Sequence, residues 1–220
     1  MFRTLELLAP SEIEQLRALA AASQFVDGRI SNPHNTAKHN LQLHEAGAYQ
    51  QSSQLLLAAF NRSPEFAEFA FPAMVAPPLL TKYGAGHRYG AHADAAYLQT
   101  AAGALRSDLS CTIFLNDPAS YEGGALHVRL GDGSVRFKLA AGHAILYPSN
   151  TLHEVEPVTS GERLVAITFI QSRIPDPFER TMLFELNEVA ALEGLKMDPE
   201  NFGRLQYVQA GLMRYWGDKP

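Results

Sequence analysis

The stretch Leu126-His127-Val128-Arg129-Leu130-Gly131-Asp132-Gly133-Ser134-Val135-Arg136-Phe137-Lys138-Leu139 decides the fold. Apolar residues take every second position on both sides of a Gly-Asp-Gly-Ser turn signal, which is the pattern of an antiparallel hairpin with one dry and one wet face. Leu109 to Leu115 upstream and Leu164 to Ile170 downstream are nearly continuous apolar runs, as expected of strands covered on both faces. From Pro72 onward, short β-branched and aromatic runs broken by glycine and proline predict an all-β barrel or sandwich.

Outward from that core the pattern turns helical. Ser11 with Glu14 reads as a capping box ahead of Ile13, Leu16, Leu19 and Ala20 at helical spacing, and a second helix is expected over roughly 44–60. Ser63-Pro64, Asp176-Pro177 and Asp198-Pro199 each pair an N-cap with proline at the first helical position. The chain is therefore expected to be mainly β with flanking helices: a helical support region over 1–72, a β core over 73–174 and a C-terminal helical segment over 175–220.

Composition narrows the function. With 220 residues and 46% hydrophobic content the chain suits one substantial core. Its 18 basic and 23 acidic residues leave a net charge of −5 without any basic block, which argues against nucleic acid as a partner. The single Cys111 excludes an intramolecular disulfide and a multi-thiolate metal site and favours a reducing compartment. Neither a signal peptide nor a membrane-length apolar run is legible, so a cytoplasmic location is expected, and the sequon Asn61-Arg62-Ser63 is read as chance.

The chemistry concentrates in His92, Asp94 and His153. Residues i and i+2 of a strand point the same way, so His92 and Asp94 can serve one metal, and the turn after Ile145-Leu146-Tyr147-Pro148 can deliver His153. Two imidazoles and a carboxylate form the facial triad of non-haem Fe(II) oxygenases; the same donors also suit zinc, and with eight histidines in the chain the pattern alone leaves iron, zinc or a structural role open. Arg163, ten residues after His153, opens an apolar strand and needs an anion, for which its rigid fork suits a carboxylate. His34, His39, His44, His127 and His143 read as structural, and Cys111 as a small core residue. The C-terminal aromatics Phe202, Tyr207, Tyr215 and Trp216 either pack on the core or form a homodimer surface.

Tyr83-x-x-Gly86-x-x-Tyr89-x-x-His92-x-Asp94, then Gly123-Gly124-x-Leu126, His153 and Arg163, resembles the catalytic domain of Fe(II)- and 2-oxoglutarate-dependent prolyl 4-hydroxylases. With His153-Glu154-Val155, Pro157-Val158 and Ile170-Gln171-Ser172, the whole chain resembles the bacterial PKHD-type hydroxylases of that superfamily. The resemblance implies a double-stranded β-helix, or jelly roll, that binds Fe(2+) through His92, Asp94 and His153 and the distal carboxylate of 2-oxoglutarate through Arg163. It implies L-ascorbate as reductant, and hydroxylation of an unactivated C–H bond with decarboxylation of 2-oxoglutarate to succinate. Prolyl or lysyl side chains are the substrate class that the family name suggests. Tyr83, Tyr89 and Leu126 are further candidates for the cosubstrate pocket, and the segment from Tyr97 to Ser107, with Tyr97 and Arg106, for a substrate-covering loop. One departure stands out: Phe114 occupies the place where some prolyl hydroxylases carry a carboxylate-binding tyrosine, which leaves Thr112, Ser110 or another hydroxyl to substitute. The competing classes are a cupin-like or zinc-dependent enzyme and a non-catalytic jelly-roll binding module.

Overall fold

The structure is a computed structural model that describes residues 1–31, 36–100 and 103–217. In chain order the first third contains β1 (Arg3–Glu6), α1 (Pro10–Ala22), β2 (Phe25–Asp27), β3 (Lys38–His39), β4 (Leu41–Leu43), α2 (Ala46–Asn61) and α3 (Pro64–Ala70). Next come β5 (Pro72–Val75), β6 (Leu79–Tyr83), β7 (Arg88–His92) and the hairpin β8 (Tyr97–Thr100) and β9 (Gly103–Arg106). The core continues through β10 (Leu109–Phe114), β11 (Glu122–Gly123), β12 (Leu126–Leu130), β13 (Gly133–Phe137), β14 (His143–Pro148), β15 (His153–Val155), β16 (Val158–Ser160) and β17 (Arg163–Ser172). The helices α4 (Pro177–Glu193) and α5 (Pro199–Trp216) close the chain.

Two antiparallel sheets face each other as a jelly roll. The larger runs β1-β14-β10-β17-β6-β4-β2, with β5 also on β17, and the smaller runs β13-β12-β15-β7-β3. The hairpin forms with Val128 opposite Val135 and Leu130 opposite Gly133, so the turn narrows to Gly131-Asp132, with Gly131 at φ 61°, and Gly133 and Ser134 join the strand expected to start at Val135.

Strand parity divides the apolar runs between two cores. In β10, Leu109, Cys111 and Ile113 face the helices together with Leu16, Leu56, Phe60 and Phe66, whereas Phe114 faces the inside of the roll against Leu126, Val128 and Ile145. In β17, Leu164, Ala166 and Ile170 join the helical side and Val165 the inner side. Each fully buried Leu in the first cluster contributes about 1.5–3 kcal/mol relative to an exposed one. The same alternation puts Arg163, two residues before Val165, on the inner face.

The structure departs from the sequence reading at the N-terminus. Ser11 caps nothing: α1 begins at Pro10, and the Glu12 carboxylate accepts the Ala9 N–H at 2.8 Å, two residues earlier than the Ser11-Glu14 box required. The first third, expected to be mainly helical, also supplies β1 and β2 to β4. β1 pairs with β14, β4 with β6 and β3 with β7, all beyond the N-terminal third, and β2 adds to the edge of β4. The caps Ser63, Asp176 and Asp198 are in place, each accepting from first-turn amides.

Candidate metal and cosubstrate site

His92 ends β7 and lies directly across from His153 on β15. Asp94 stands two residues beyond His92, just past the strand rather than within it, and its amide donates to the Ser149 carbonyl at 3.2 Å. That bond takes over the orienting role expected of strand parity. The Nε2 atoms of His92 and His153 approach the Asp94 carboxylate to 3.8 and 3.7 Å, and one ligand atom from each of the three residues falls within 4.8 Å of the others. Metal bonds to such atoms are about 2.0–2.2 Å long, so a single ion reaches from either imidazole to the carboxylate.

Both imidazoles are held in the ligating tautomer. Nδ1 of His92 lies 2.8 Å from the Gly90 carbonyl and Nδ1 of His153 2.9 Å from that of Thr151, so each Nδ1–H donates outward and each Nε2 lone pair faces the centre. Burial, reinforced by His153, lowers the pKa of His92 and keeps its ring neutral, as a ligand must be. Tyr89 stacks on His92 at 3.7 Å between centroids and fixes the ring plane. The Ser110 hydroxyl donates to Asp94 Oδ2 at 2.5 Å and is itself 2.8 Å from Ser149 Oγ, which Ser107 Oγ also reaches at 2.8 Å. A chain of three serines thus anchors the carboxylate.

Arg163 lines the same recess as the triad and is 1% exposed. Its guanidinium lies over Tyr83 at 4.9 Å and Phe114 at 5.5 Å, and Nε has no hydrogen-bond partner among the described residues. Burial lowers its pKa, an effect that neighbouring Tyr83, Tyr121 and Tyr147 oppose. The Tyr121 hydroxyl is buried against the same guanidinium and has no other partner among the described residues. A cation with an unpartnered Nε and no carboxylate, with a tyrosine hydroxyl beside it, forms a cradle that an anionic acceptor completes. Gly124 makes the cradle possible: at φ 65°, a Cβ there would come within 3.2 Å of both Arg163 Cδ and Tyr121 Cε2.

The remaining predicted residues fall as follows. Tyr83 and Leu126 line the inner recess, and the Tyr83 hydroxyl accepts from Asn40 Nδ2 at 3.0 Å. The expected loop from Tyr97 to Ser107 is the hairpin β8–β9, apart from residues 101–102, which lie outside the described residues, as does His34. Tyr97 is 64% exposed, and Arg106 is bound to Asp108 at 2.8 Å and to the Ser172 carbonyl at 3.2 Å, so neither lines the recess. Leu98, Gln99 and Thr100 of that hairpin instead wall an outer cleft of about 620 Å³ that opens onto His92 and Asp94.

Sequence reasoning missed Lys38, Asn40, Tyr121 and Tyr147. Tyr147 stacks edge-on to His153 at 5.1 Å and lies in the strand beside Phe114, with its pKa raised by burial. Its place six residues before His153, on a strand already expected, was the available signal. Lys38 had none, because it enters the site on β3, a strand of two residues.

A jelly roll with two tautomer-fixed imidazoles, one anchored carboxylate and an arginine-floored recess defines a mononuclear non-haem metal oxygenase. Residues 78–171 match the family model of the 2OG-Fe(II) oxygenase superfamily. A PKHD-type hydroxylase of Sphingopyxis alaskensis is 60% identical across 98% of this chain and 99% of its own length. Another, of Thermosynechococcus vestitus, is 40% identical across 96% of each. A prolyl-4-hydroxylase of Pseudomonas putida, 22% identical, superposes with a TM-score of 0.53 over 78% of this chain and 92% of that one, a likeness of fold. The chain belongs to the PKHD-type hydroxylases of the 2OG-Fe(II) oxygenase superfamily, and it is accordingly an iron- and 2-oxoglutarate-dependent oxidoreductase.

Proposed function

We propose that His92, Asp94 and His153 hold the ferrous ion and that Arg163 receives the distal carboxylate of 2-oxoglutarate. The observation that carries this reading is the buried, carboxylate-free guanidinium in the same recess as the triad. When bound, iron and 2-oxoglutarate supply the oxidant that hydroxylates an unactivated C–H bond while the cosubstrate is decarboxylated to succinate. The protein's own contribution is placement. The carbonyls of Gly90 and Thr151 hold the imidazole tautomers, and Ser110 holds Asp94. Arg163 and Tyr121 present donors to the far end of the cosubstrate, with Tyr147 and Thr112 as the hydroxyls that stand in where Phe114 has none. Tyr83, Phe114 and Leu126 keep bulk water from that end.

Substrate enters by the outer cleft beneath the β8–β9 hairpin, whose base Arg106 braces and whose outer surface bears Tyr97. A prolyl, lysyl or related amino-acid side chain is the substrate class that the family resemblance suggests, of which the cationic lysyl side chain fits least beside the buried Lys38 ammonium, and ascorbate is the reductant. The domain limits 1–72, 73–174 and 175–220 are kept as functional divisions, although β1 to β4 tie the first to the second. No helix among the described residues is long and apolar enough to cross a membrane. A reducing, cytoplasmic setting suits the buried free thiol of Cys111. On α5, Tyr207 and Tyr215 are exposed, which supports a homodimer face, and sedimentation of Tyr207→Glu against the parent checks it.

Anaerobic addition of Fe(II) and then 2-oxoglutarate tests the site. A visible charge-transfer band is expected, absent in Asp94→Ala and His153→Ala. A band that survives both substitutions removes the metal assignment.

A further inference from the structure

Lys38 is 4% exposed and borders both the inner recess and the outer cleft. Its ammonium donates to Ser31 Oγ at 2.6 Å and lies 5.4 Å from the centroid of Tyr89, the ring that stacks on His92. No carboxylate among the described residues comes within ion-pair distance of it. A lysine so enclosed ordinarily has an acidic partner, since burying an ammonium without one is costly. The carboxylates that act on it from farther off are Asp94 and Asp27, and burial outweighs both, drawing its pKa down to about 8. Asp27 is already bound by Arg29 at 2.5 Å, and Asp94 is a metal ligand in the reading above.

Among the described residues that line the two chambers, the charged side chains other than the histidines are Lys38, Asp94 and Arg163. A divalent metal and Arg163 together bring three positive charges, and Asp94 and 2-oxoglutarate together bring three negative ones. The loaded centre is therefore neutral without Lys38, and one positive charge is left facing the cleft. The other cleft walls are neutral, with Gln42, Tyr49 and Gln99 among polar groups and Leu98, Ile167 and Phe169 among apolar ones. That lining suits a chain with an uncharged body and one anionic end.

We propose that the outer cleft takes a substrate bearing a single carboxylate, that Lys38 binds this carboxylate, and that the reacting C–H lies several bonds away, toward His92 and Asp94. This rests on the dioxygenase reading. One ammonium balances a carboxylate and leaves a phosphate dianion undercompensated, so the acid is favoured over the phosphate ester. Lys38 acts as a specificity determinant: it sets which molecules reach the metal with a C–H in range and has no part in holding 2-oxoglutarate.

The test uses anaerobic protein saturated with Fe(II) and 2-oxoglutarate. Calorimetry compares straight-chain acids from butanoate to octanoate with their primary amides and with hexyl phosphate. The best acid is expected to bind at least about tenfold more tightly than its amide, as a charge-assisted contact implies. Lys38→Met is expected to abolish that preference and Lys38→Arg to restore much of it, while the chelate band titrates with 2-oxoglutarate as in the parent. Equal binding of acid and amide, preference for hexyl phosphate, or no binding by any acid overturns the proposal. So does a weakened chelate band in Lys38→Met, which would assign the lysine to the cosubstrate. A parent protein that forms no chelate band refutes the dioxygenase reading separately, and the acid-against-amide comparison is then read by thermal shift on the metal-free chain.

Discussion

Arg163→Met should move stability and cosubstrate affinity in opposite directions. The guanidinium is 1% exposed, lacks a carboxylate, and leaves Nε unpartnered. Holding such a cation out of water costs several kcal/mol even after relaxation. The rings of Tyr83 and Phe114, at 4.9 and 5.5 Å, return about 0.5–2 kcal/mol each. Methionine fills much of the same length without the charge, so the cosubstrate-free variant should be about 1–3 kcal/mol more stable in urea unfolding. The anion that justifies the buried charge is then lost: 2-oxoglutarate should bind about 2–5 kcal/mol more weakly, or roughly thirtyfold to several thousandfold, in anaerobic titration of the chelate band. A midpoint of thermal unfolding that rises with 2-oxoglutarate in the parent should hardly move in the variant. A variant that is less stable than the parent and still binds 2-oxoglutarate normally would show that Arg163 is a structural cation, satisfied by its aromatic neighbours.

Three further outcomes follow from the same geometry. Ser110→Ala frees the Asp94 carboxylate from its 2.5 Å bond, and Fe(II) affinity should fall by about 10–100-fold with little change in fold; unchanged affinity in a competition titration would mean that Ser110 does not orient the ligand. Gly124→Ala sets a Cβ 2.8 Å from Val158 Cγ2 and 3.2 Å from Arg163 Cδ at a φ of 65°, so both stability and 2-oxoglutarate affinity should drop, whereas Gly203→Ala, with nothing within 4 Å, should be tolerated. Burial draws the Lys38 pKa from 10.5 to about 8, so between those values the unfolded chain holds more protons than the folded one. The unliganded protein should therefore gain stability from this group as pH rises from about 8 to 10.5, with its full penalty present below 8. Denaturation at stepped pH checks this: a parent and a Lys38→Met variant with the same slope across that window would refute it.

What the sequence disclosed and what it withheld divide along a physical line. His92, Asp94, His153 and Arg163 were legible because strand parity and turn chemistry are local: a hairpin signal, two buried runs and fixed offsets place each side chain on a known face. Even there, locality had limits. Asp94 was expected on the strand of His92, yet it lies beyond the strand end and owes its orientation to a carbonyl from the turn before His153. The serine chain from Ser107 through Ser149 to Ser110 joins segments that no short window spans. Ser110 stands out in the sequence only as a hydroxyl, because its partner is set by which strands become neighbours.

The N-terminal strands carry the same lesson into function. β3 has two residues, too few for any periodicity, and forms because β7 offers it an edge, with Lys38 opposite Tyr89 and Ala37 accepting from Gly90. That pairing does more than extend the smaller sheet. It brings an ammonium to the cleft beside a metal centre whose other charges cancel. Had the N-terminal third been only a helical brace on the outer face, the recess would have held its cosubstrate and left the substrate's charge unread. The triad and Arg163 sit on or just beyond the core strands, and in the proposed reading they determine the reaction. The proposed selector of what is oxidised, Lys38, sits at the periphery of the smaller sheet and becomes visible only once the long-range pairing is known.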